Sequence, residues 1–244
     1  MVEVGFNFWE RTLYMKLTNR MIAASAAVLL LSVASAAAAQ DVTYNVGVTS
    51  DYVTRGTSQT NHDAAFSAGV DATYDSGFYV GAWASEVDFG DGTDAEIDFY
   101  AGYRTEAAGF GLDFAVASYN YTNAPTNYNM VEGLVTITRP VGPLATTVEI
   151  AYSPDYFNLG TQSLWTEGRV SLPLADRLTL SGSVGYQYIE NEALFPSYST
   201  YNVGFGYALT SNLALDVRYA DNDLPASAGF FADDSFSAGL TASF

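Results

Sequence analysis

Apolar and polar residues alternate along most of this chain with a period of two. Val42, Tyr44, Val46 and Val48 are interleaved with Thr43, Asn45, Gly47 and Thr49. An extended segment with that pattern carries an apolar row on one face and a small or polar row on the other. The same alternation sets Phe66, Ala68, Val70, Ala72 and Tyr74 against Ser67, Gly69, Asp71 and Thr73. It recurs in Ile97, Phe99, Ala101 and Tyr103 against Glu96, Asp98, Tyr100, Gly102 and Arg104, and again in 178–187 and 200–209. The pattern predicts about twelve strands, starting near Asp41, Ala64, Phe78, Ala95, Phe110, Tyr128, Leu144, Ser163, Leu178, Tyr198, Leu213 and Asp234.

The connections between these segments alternate in length. Short links rich in turn formers fall at 75–77, 106–109, 139–143, 173–177 and 210–212. Longer ones fall at 54–63, 88–94, 122–126, 154–162, 189–197 and 220–233. Short turns at one end and long loops at the other are the asymmetry of a transmembrane β-barrel, and an even strand count brings both chain ends to the short-turn side. The closing segment alternates Phe236, Ala238, Leu240, Ala242 and Phe244 and stops on the aromatic. A terminal Phe of this kind is expected to engage the barrel-assembly machinery.

A soluble barrel or sandwich also alternates, but hides its apolar row inside. Here the row opposite the apolar one holds Glu96, Asp98, Arg104, Asp113, Glu132, Glu149, Glu167, Arg169, Asp216 and Arg218 among small residues. Such a row suits a water-filled lumen. Tyr44, Tyr74, Phe78, Phe110 and Tyr219, near strand ends, suit interfacial girdles. The expected fold is therefore all-β, a single-domain antiparallel transmembrane barrel of about twelve strands spanning residues 40–244, set among outer-membrane lipid and lipopolysaccharide.

Residues 1–39 read differently. Lys16 and Arg20 precede an apolar run from Met21 to Ala34 and an Ala37-Ala38-Ala39 site, the three parts of a cleavable signal peptide. The run is shorter than the roughly 20 apolar residues a spanning helix needs. Glu3 and Glu10 fit an n-region poorly, which points to Met15 as the true start.

Charge and reactive residues narrow the function. Beyond residue 39 there are six arginines and no lysine against 25 acidic residues, a net of −19, so nucleic acid is not a partner. There is no cysteine and one histidine, His62, beside Asp63 and near Ser58 and Ser67. A hydrolase would need that histidine to touch a nucleophile; the plainer reading is a solvated loop residue, and the chain is not read as an enzyme. Asp88, Asp91 and Asp94 cluster around two glycines, but without the helices or closing Glu of a calcium loop they read as an acidic hairpin tip. No cofactor or metal is implied.

The charged lumen row carries the main functional expectation. Carboxylate rings draw in cations, which makes Glu96, Asp98, Asp113, Glu132, Glu149 and Glu167 selectivity candidates, with Arg104, Arg169 and Arg218 as counter-charges. The competing reading of the same row is lumen filling by ion pairs, with no open path.

Two stretches, Ser50-Asp51-Tyr52-Val53-Thr54-Arg55-Gly56-Thr57-Ser58-Gln59-Thr60 and 76–85 followed by Val87-Asp88-Phe89-Gly90-Asp91-Gly92, resemble the TorF-type porins of proteobacteria. The resemblance is close over the first four predicted strands and elsewhere extends to the general barrel pattern. It implies an outer-membrane protein with a transport role. Within the first stretch, Arg55 is expected to pair with Asp51 and Gly56 to turn the chain. Ser58, Gln59 and Thr60 either fold inward to constrict the mouth or set the register of the strand end. The resulting expectation is a porin-like channel in a Gram-negative outer membrane, passing small solutes or ions with a preference for cations; the alternative is a non-conducting structural or adhesive barrel.

Overall fold

The computed structural model describes residues 41–244; the predicted leader and the proposed start at Met15 lie outside the described residues. Twelve strands close into one antiparallel barrel. They are β1 (Asp41–Thr49), β4 (Ala65–Thr73), β5 (Phe78–Glu86), β6 (Ala95–Ala107), β7 (Phe110–Thr122), β8 (Met130–Val141), β9 (Leu144–Ser153), β10 (Ser163–Ala175), β11 (Leu178–Ile189), β12 (Tyr198–Ala208), β13 (Leu213–Asn222) and β14 (Ser235–Ser243). Each pairs with its neighbour in order, and β1 pairs with β14 to complete the ring. Two more strands, β2 (Val53–Thr54) and β3 (Thr57–Ser58), form a small hairpin in the first long loop.

Every predicted strand start falls within two residues of the observed one. Three of the five short links are tighter than expected, because the ladder continues through 106–107, 139–141 and 173–175 and leaves only Ala108-Gly109, Gly142-Pro143 and Asp176-Arg177 as turns; the other two, 74–77 and 209–212, are one residue longer. Pro140 and Pro173 are tolerated because they lie in the last residues of their strands, where a missing N–H costs least.

The apolar row faces out all around the ring. Val116, Val148, Val184, Tyr186, Val203 and Phe205 are among the exposed large side chains, Val184 at 67%. Exposed Tyr44, Phe78 and Tyr207 lie toward the short-turn end, and exposed Tyr152, Tyr188 and Tyr201 toward the long-loop end. An apolar belt bounded by two aromatic rims, enclosing a polar interior, is the surface of a barrel that crosses a bilayer. Closure satisfies the backbone that lipid cannot. The last residue takes part: the Phe244 N–H donates to the Tyr44 carbonyl at 2.9 Å and the Tyr44 N–H donates back at 3.0 Å.

Candidate functional site

The first long loop does not stay outside. Thr54, Arg55, Gly56 and Thr57 make a two-residue hairpin turn with Arg55 at φ 49° and Gly56 at φ 75°, the left-handed pair that a type I′ turn requires. Gly56 is needed twice over, since a Cβ there would also collide with the Thr200 hydroxyl of β12. The Asn222 amide donates to the Gly56 carbonyl at 2.7 Å, fixing the turn against the β13 end. The loop thus enters the barrel and leans on one wall.

From that turn Arg55 reaches across the lumen. Its guanidinium grips Glu132 of β8 with two hydrogen bonds of 2.8 and 2.7 Å, donates to the side-chain amide oxygen Oε1 of Gln187 at 3.3 Å, and stands 5.2 Å from the Trp165 ring centre. Trp165 can lie flat across the inner wall because residue 185 beside it is glycine; a Cβ there would strike its ring. Glu132 is fully buried and also accepts from the Tyr119 hydroxyl at 3.0 Å. Burial alone would lower the Arg55 pKa, but the Glu132 carboxylate outweighs it and raises the value above the ordinary one, so Arg55 stays charged.

Arg55 therefore does not pair with Asp51, as its sequence proximity suggested. The left-handed turn points the side chain away from the loop stem, and Asp51 is already saturated: Ser58 Oγ donates to it at 2.6 Å, Thr60 Oγ1 at 3.2 Å and Ser235 Oγ at 2.5 Å, with His62 Nδ1 at 2.9 Å. Ser58 is turned into this knot, whereas Gln59 reaches the lumen cavity together with Arg55. In this knot the Ser58 hydroxyl and His62 Nδ1 both meet the Asp51 carboxylate, which stands between the serine and the imidazole. On the far side Tyr52 donates to Glu96 at 2.8 Å and meets Trp83 edge-on at 5.6 Å. The loop is thus tied to β6, β8, β11, β13 and β14 at once.

All ten lumen candidates are on the inward face. Arg104 pairs with Asp113, its direct cross-strand neighbour, at 2.9 Å, and lies 4.0 Å over the Tyr79 ring. Glu149 and Glu167 face each other across β9 and β10, an arrangement that like charges oppose; Arg169 bridges them at 2.6 and 2.9 Å. Arg218 forks onto Asp216 with two contacts of 3.1 Å and also holds Asn202 and Ser181. Glu96 and Asp98 are buried on β6. The strand-borne arginines thus pair with carboxylates on their own or the adjacent strand, and Arg55 alone of the four lumen arginines reaches from loop to wall. Asp71, Glu96, Asp98, Asp113, Glu132, Glu149, Glu167 and Asp216 face Arg55, Arg104, Arg169 and Arg218, so among the described residues carboxylates outnumber guanidiniums in the lumen by at least two to one.

What space remains is unevenly placed. A cavity of about 460 Å³ extends from the mouth, past Arg55 and Trp165, to Thr138 and Thr147 deep on β8 and β9, with Glu149, Glu167 and Arg169 on its wall. Thr136 also lines it and, among the described residues, its buried hydroxyl has no hydrogen-bond partner in the protein. On the other side of the hairpin, between β12, β13, β14 and β1, lies a small cavity of about 30 Å³.

The mouth of the large cavity is aromatic, a feature the alternation of the strands does not disclose. Five long loops each contribute at least one ring: Phe89, Tyr128, Tyr156 with Phe157, Phe195, and Phe231. The rings touch in sequence around the opening. Phe89 lies 6.0 Å from Phe231 and 5.5 Å from Tyr121; Tyr121 lies 5.5 Å from Phe157, and Phe157 4.7 Å from Tyr156. Tyr156 and Tyr198 flank Phe195 at 6.3 and 6.2 Å. The available signal was one or two aromatics amid the turn formers of four of the long connections, with Tyr128 just beyond a fifth, legible only once the loops are known to converge.

The acidic tip at 88–94 is spent internally. Asp91 accepts from the Thr93 N–H and hydroxyl and from the Tyr128 hydroxyl at 2.8 Å, and Asp94 accepts from Thr122 and Asn123. Burial is the largest single influence and opposes the Asp91 charge, but the Thr93 and Tyr128 hydrogen bonds together outweigh it and hold the pKa below the ordinary value. Among the described residues no group of three or more acidic, histidine or cysteine side chains could hold a metal ion.

Solved structures share this architecture at low identity. The chain superposes on the KdgM porin with a TM-score of 0.57 at 10% identity, covering 83% of this chain and 98% of that one. The NanC porin gives 0.56 at 9% identity, with 83% and 99% covered. The COG4313 outer membrane channel from Pseudomonas putida F1 gives 0.51 at 10% identity, with 83% and 94% covered. No curated protein matches the chain. A family model matches residues 33–244, and the chain belongs to that family, described as a bacterial protein of unknown function (Gcw_chp).

Proposed function

We propose that this protein is a porin-like channel of a Gram-negative outer membrane, passing small solutes by diffusion and preferring cations. The observation that carries this reading is the cavity running from the mouth past Arg55 to Thr138 and Thr147 along a wall where carboxylates prevail. In a narrow lumen such an excess lowers the energy of a cation relative to an anion. Likeness of fold to the KdgM and NanC porins and the TorF-type resemblance of residues 50–60 and 76–92 support the same reading. In this orientation the short turns and Phe244 face the periplasm, where the terminal aromatic meets the assembly machinery, and the long loops face lipopolysaccharide.

Arg55 and Gln59 narrow the path from the loop side, and Glu149 and Glu167 set its charge. The adhesive alternative is less well supported, because the carboxylates of the 88–94 loop are already engaged by Thr93, Thr122, Asn123 and Tyr128. The test is the reversal potential across a KCl gradient for the chain from Gln40 onward, refolded and placed in a planar bilayer. A potential of cation-selective sign is expected; an anion-selective sign would overturn the charge reading, and a folded barrel that never conducts would overturn the channel.

A further inference from the structure

The collar and the charges beneath it together specify a ligand class. Aromatic faces carry negative charge density and attract cations. At this mouth Phe89, Tyr121, Phe157, Tyr156 and Phe195 form a continuous arc of rings around the opening. Glu96 lies directly under the arc, 2.8 Å from the Tyr52 hydroxyl and 3.4 Å from that of Tyr121, and Glu149 and Glu167 follow deeper in the same cavity.

Competing ligand classes fit less well. An anion would find both cavity guanidiniums already held by carboxylates, Arg55 by Glu132 and Arg169 by Glu149 and Glu167. A neutral sugar could use the rings and the hydroxyl and amide groups of the same lining, among them Gln59, Tyr128 and Thr136, but it would leave the carboxylate excess of the cavity without a counter-charge. A simple metal ion would gain little from so much apolar lining. A cation with an apolar body satisfies both halves, rings for the body and carboxylates for the charge, and 460 Å³ is ample for a small molecule of this kind.

We propose that the aromatic collar and Glu96 form a binding site for small organic cations with an aromatic or alkyl body, held at the mouth before passage. The proposal deepens the channel reading by naming its solute class, but binding itself can be measured without conduction. The probe is phenethylammonium, compared with neutral 2-phenylethanol and anionic phenylacetate of the same size. Binding is measured by calorimetry on the refolded chain from Gln40 in detergent micelles, with heat-modifiable migration as the check on folding.

Phenethylammonium should bind at least about tenfold more tightly than either analogue, since a ring face and one carboxylate together contribute on the order of that factor. Phe195→Leu, which keeps apolar volume but removes a ring face, should reduce that preference, and Glu96→Gln should reduce it further, while 2-phenylethanol binding changes little. Equal binding of the three probes, tighter binding of phenylacetate, or no binding of any overturns the site. KCl conductance without probe is the separate measure of the channel: a conducting barrel without cation preference at the mouth refutes the site alone, and a selective site in a barrel that never conducts refutes the channel alone.

Discussion

The two sides of the lumen are built from the same alternation and end in opposite states. Along β12, β13, β14 and β1 the inward positions are mostly small, among them Gly204, Gly206, Ser237, Gly239 and Gly47, and the hairpin of the first loop fills the room they leave. Along β7 to β10 the inward row carries Tyr119, Met130, Leu134, Thr136, Glu149 and Trp165; the 154–162 loop packs on Met130 at the mouth, and the large cavity follows the wall below it. Side-chain size on one wall thus matches where the loop seats, and the seated loop leaves the large cavity on the opposite side. Arg55 is the joint between the sides, because its backbone belongs to the filled half and its charge to the open one.

The sharpest way to break this division is to strand Arg55. Glu132→Ala leaves a buried guanidinium without its carboxylate, a loss on the order of 3–5 kcal/mol if nothing moves. The hairpin is expected to leave its seat instead, making the Arg55–Gly56 bond cleavable by trypsin and raising single-channel conductance; continued protection of that bond would mean that other contacts hold the loop. Gly56→Ala acts on the same seat through the backbone. An alanine at φ 75° costs about 1 kcal/mol or more, and the collision with Thr200 adds to it, so partial trypsin sensitivity is expected, weaker than for Glu132→Ala.

Charge changes sharpen the comparison with less disturbance. Glu149→Gln combined with Glu167→Gln removes two carboxylates from the open side and should shift the reversal potential in a KCl gradient toward zero. Asp216→Asn, on the filled side, should leave it nearly unchanged. An equal shift per charge from both sides would show that ions use the whole cross-section.

The smallest expected effect is one of pH on the collar. The folded pKa of Asp91 lies below its unfolded value, so the tie to Thr93 and Tyr128 contributes stability that is fully present above the ordinary carboxylate range. It is lost as pH falls through the lowered folded value. Hydrogen-exchange protection factors at the 88–94 loop, corrected for the intrinsic pH dependence of amide exchange, should therefore stay flat from neutral pH down to about 4 and fall only below it; a loss of protection already near neutral pH would contradict the tie.

The barrel was legible in the sequence because each strand announces itself locally, through period-two alternation and turn residues between. Strand number, starts, closure and the inward placement of the charged row all follow from that one rule. The pairing of Arg104 with Asp113 and of Arg169 with Glu149 was within reach for the same reason, as these residues meet through strand register. Arg55 was not, because its partner is 77 residues away and is chosen by a left-handed turn and by the depth to which the loop descends. The collar was hidden for a related reason. An aromatic in a loop means little alone, and six become a site only when the barrel brings their five loops to one rim.

The division of the lumen can be tested directly by thiol access, since the chain has no native cysteine to interfere. Thr147→Cys on the open wall and Ser237→Cys on the filled wall would each be treated with a charged methanethiosulfonate reagent while current is recorded in a planar bilayer. The expected result is a stepwise fall in current for Thr147→Cys and none for Ser237→Cys. Equal reduction in both, or a fall for Ser237→Cys alone, would contradict a passage confined to β7–β10.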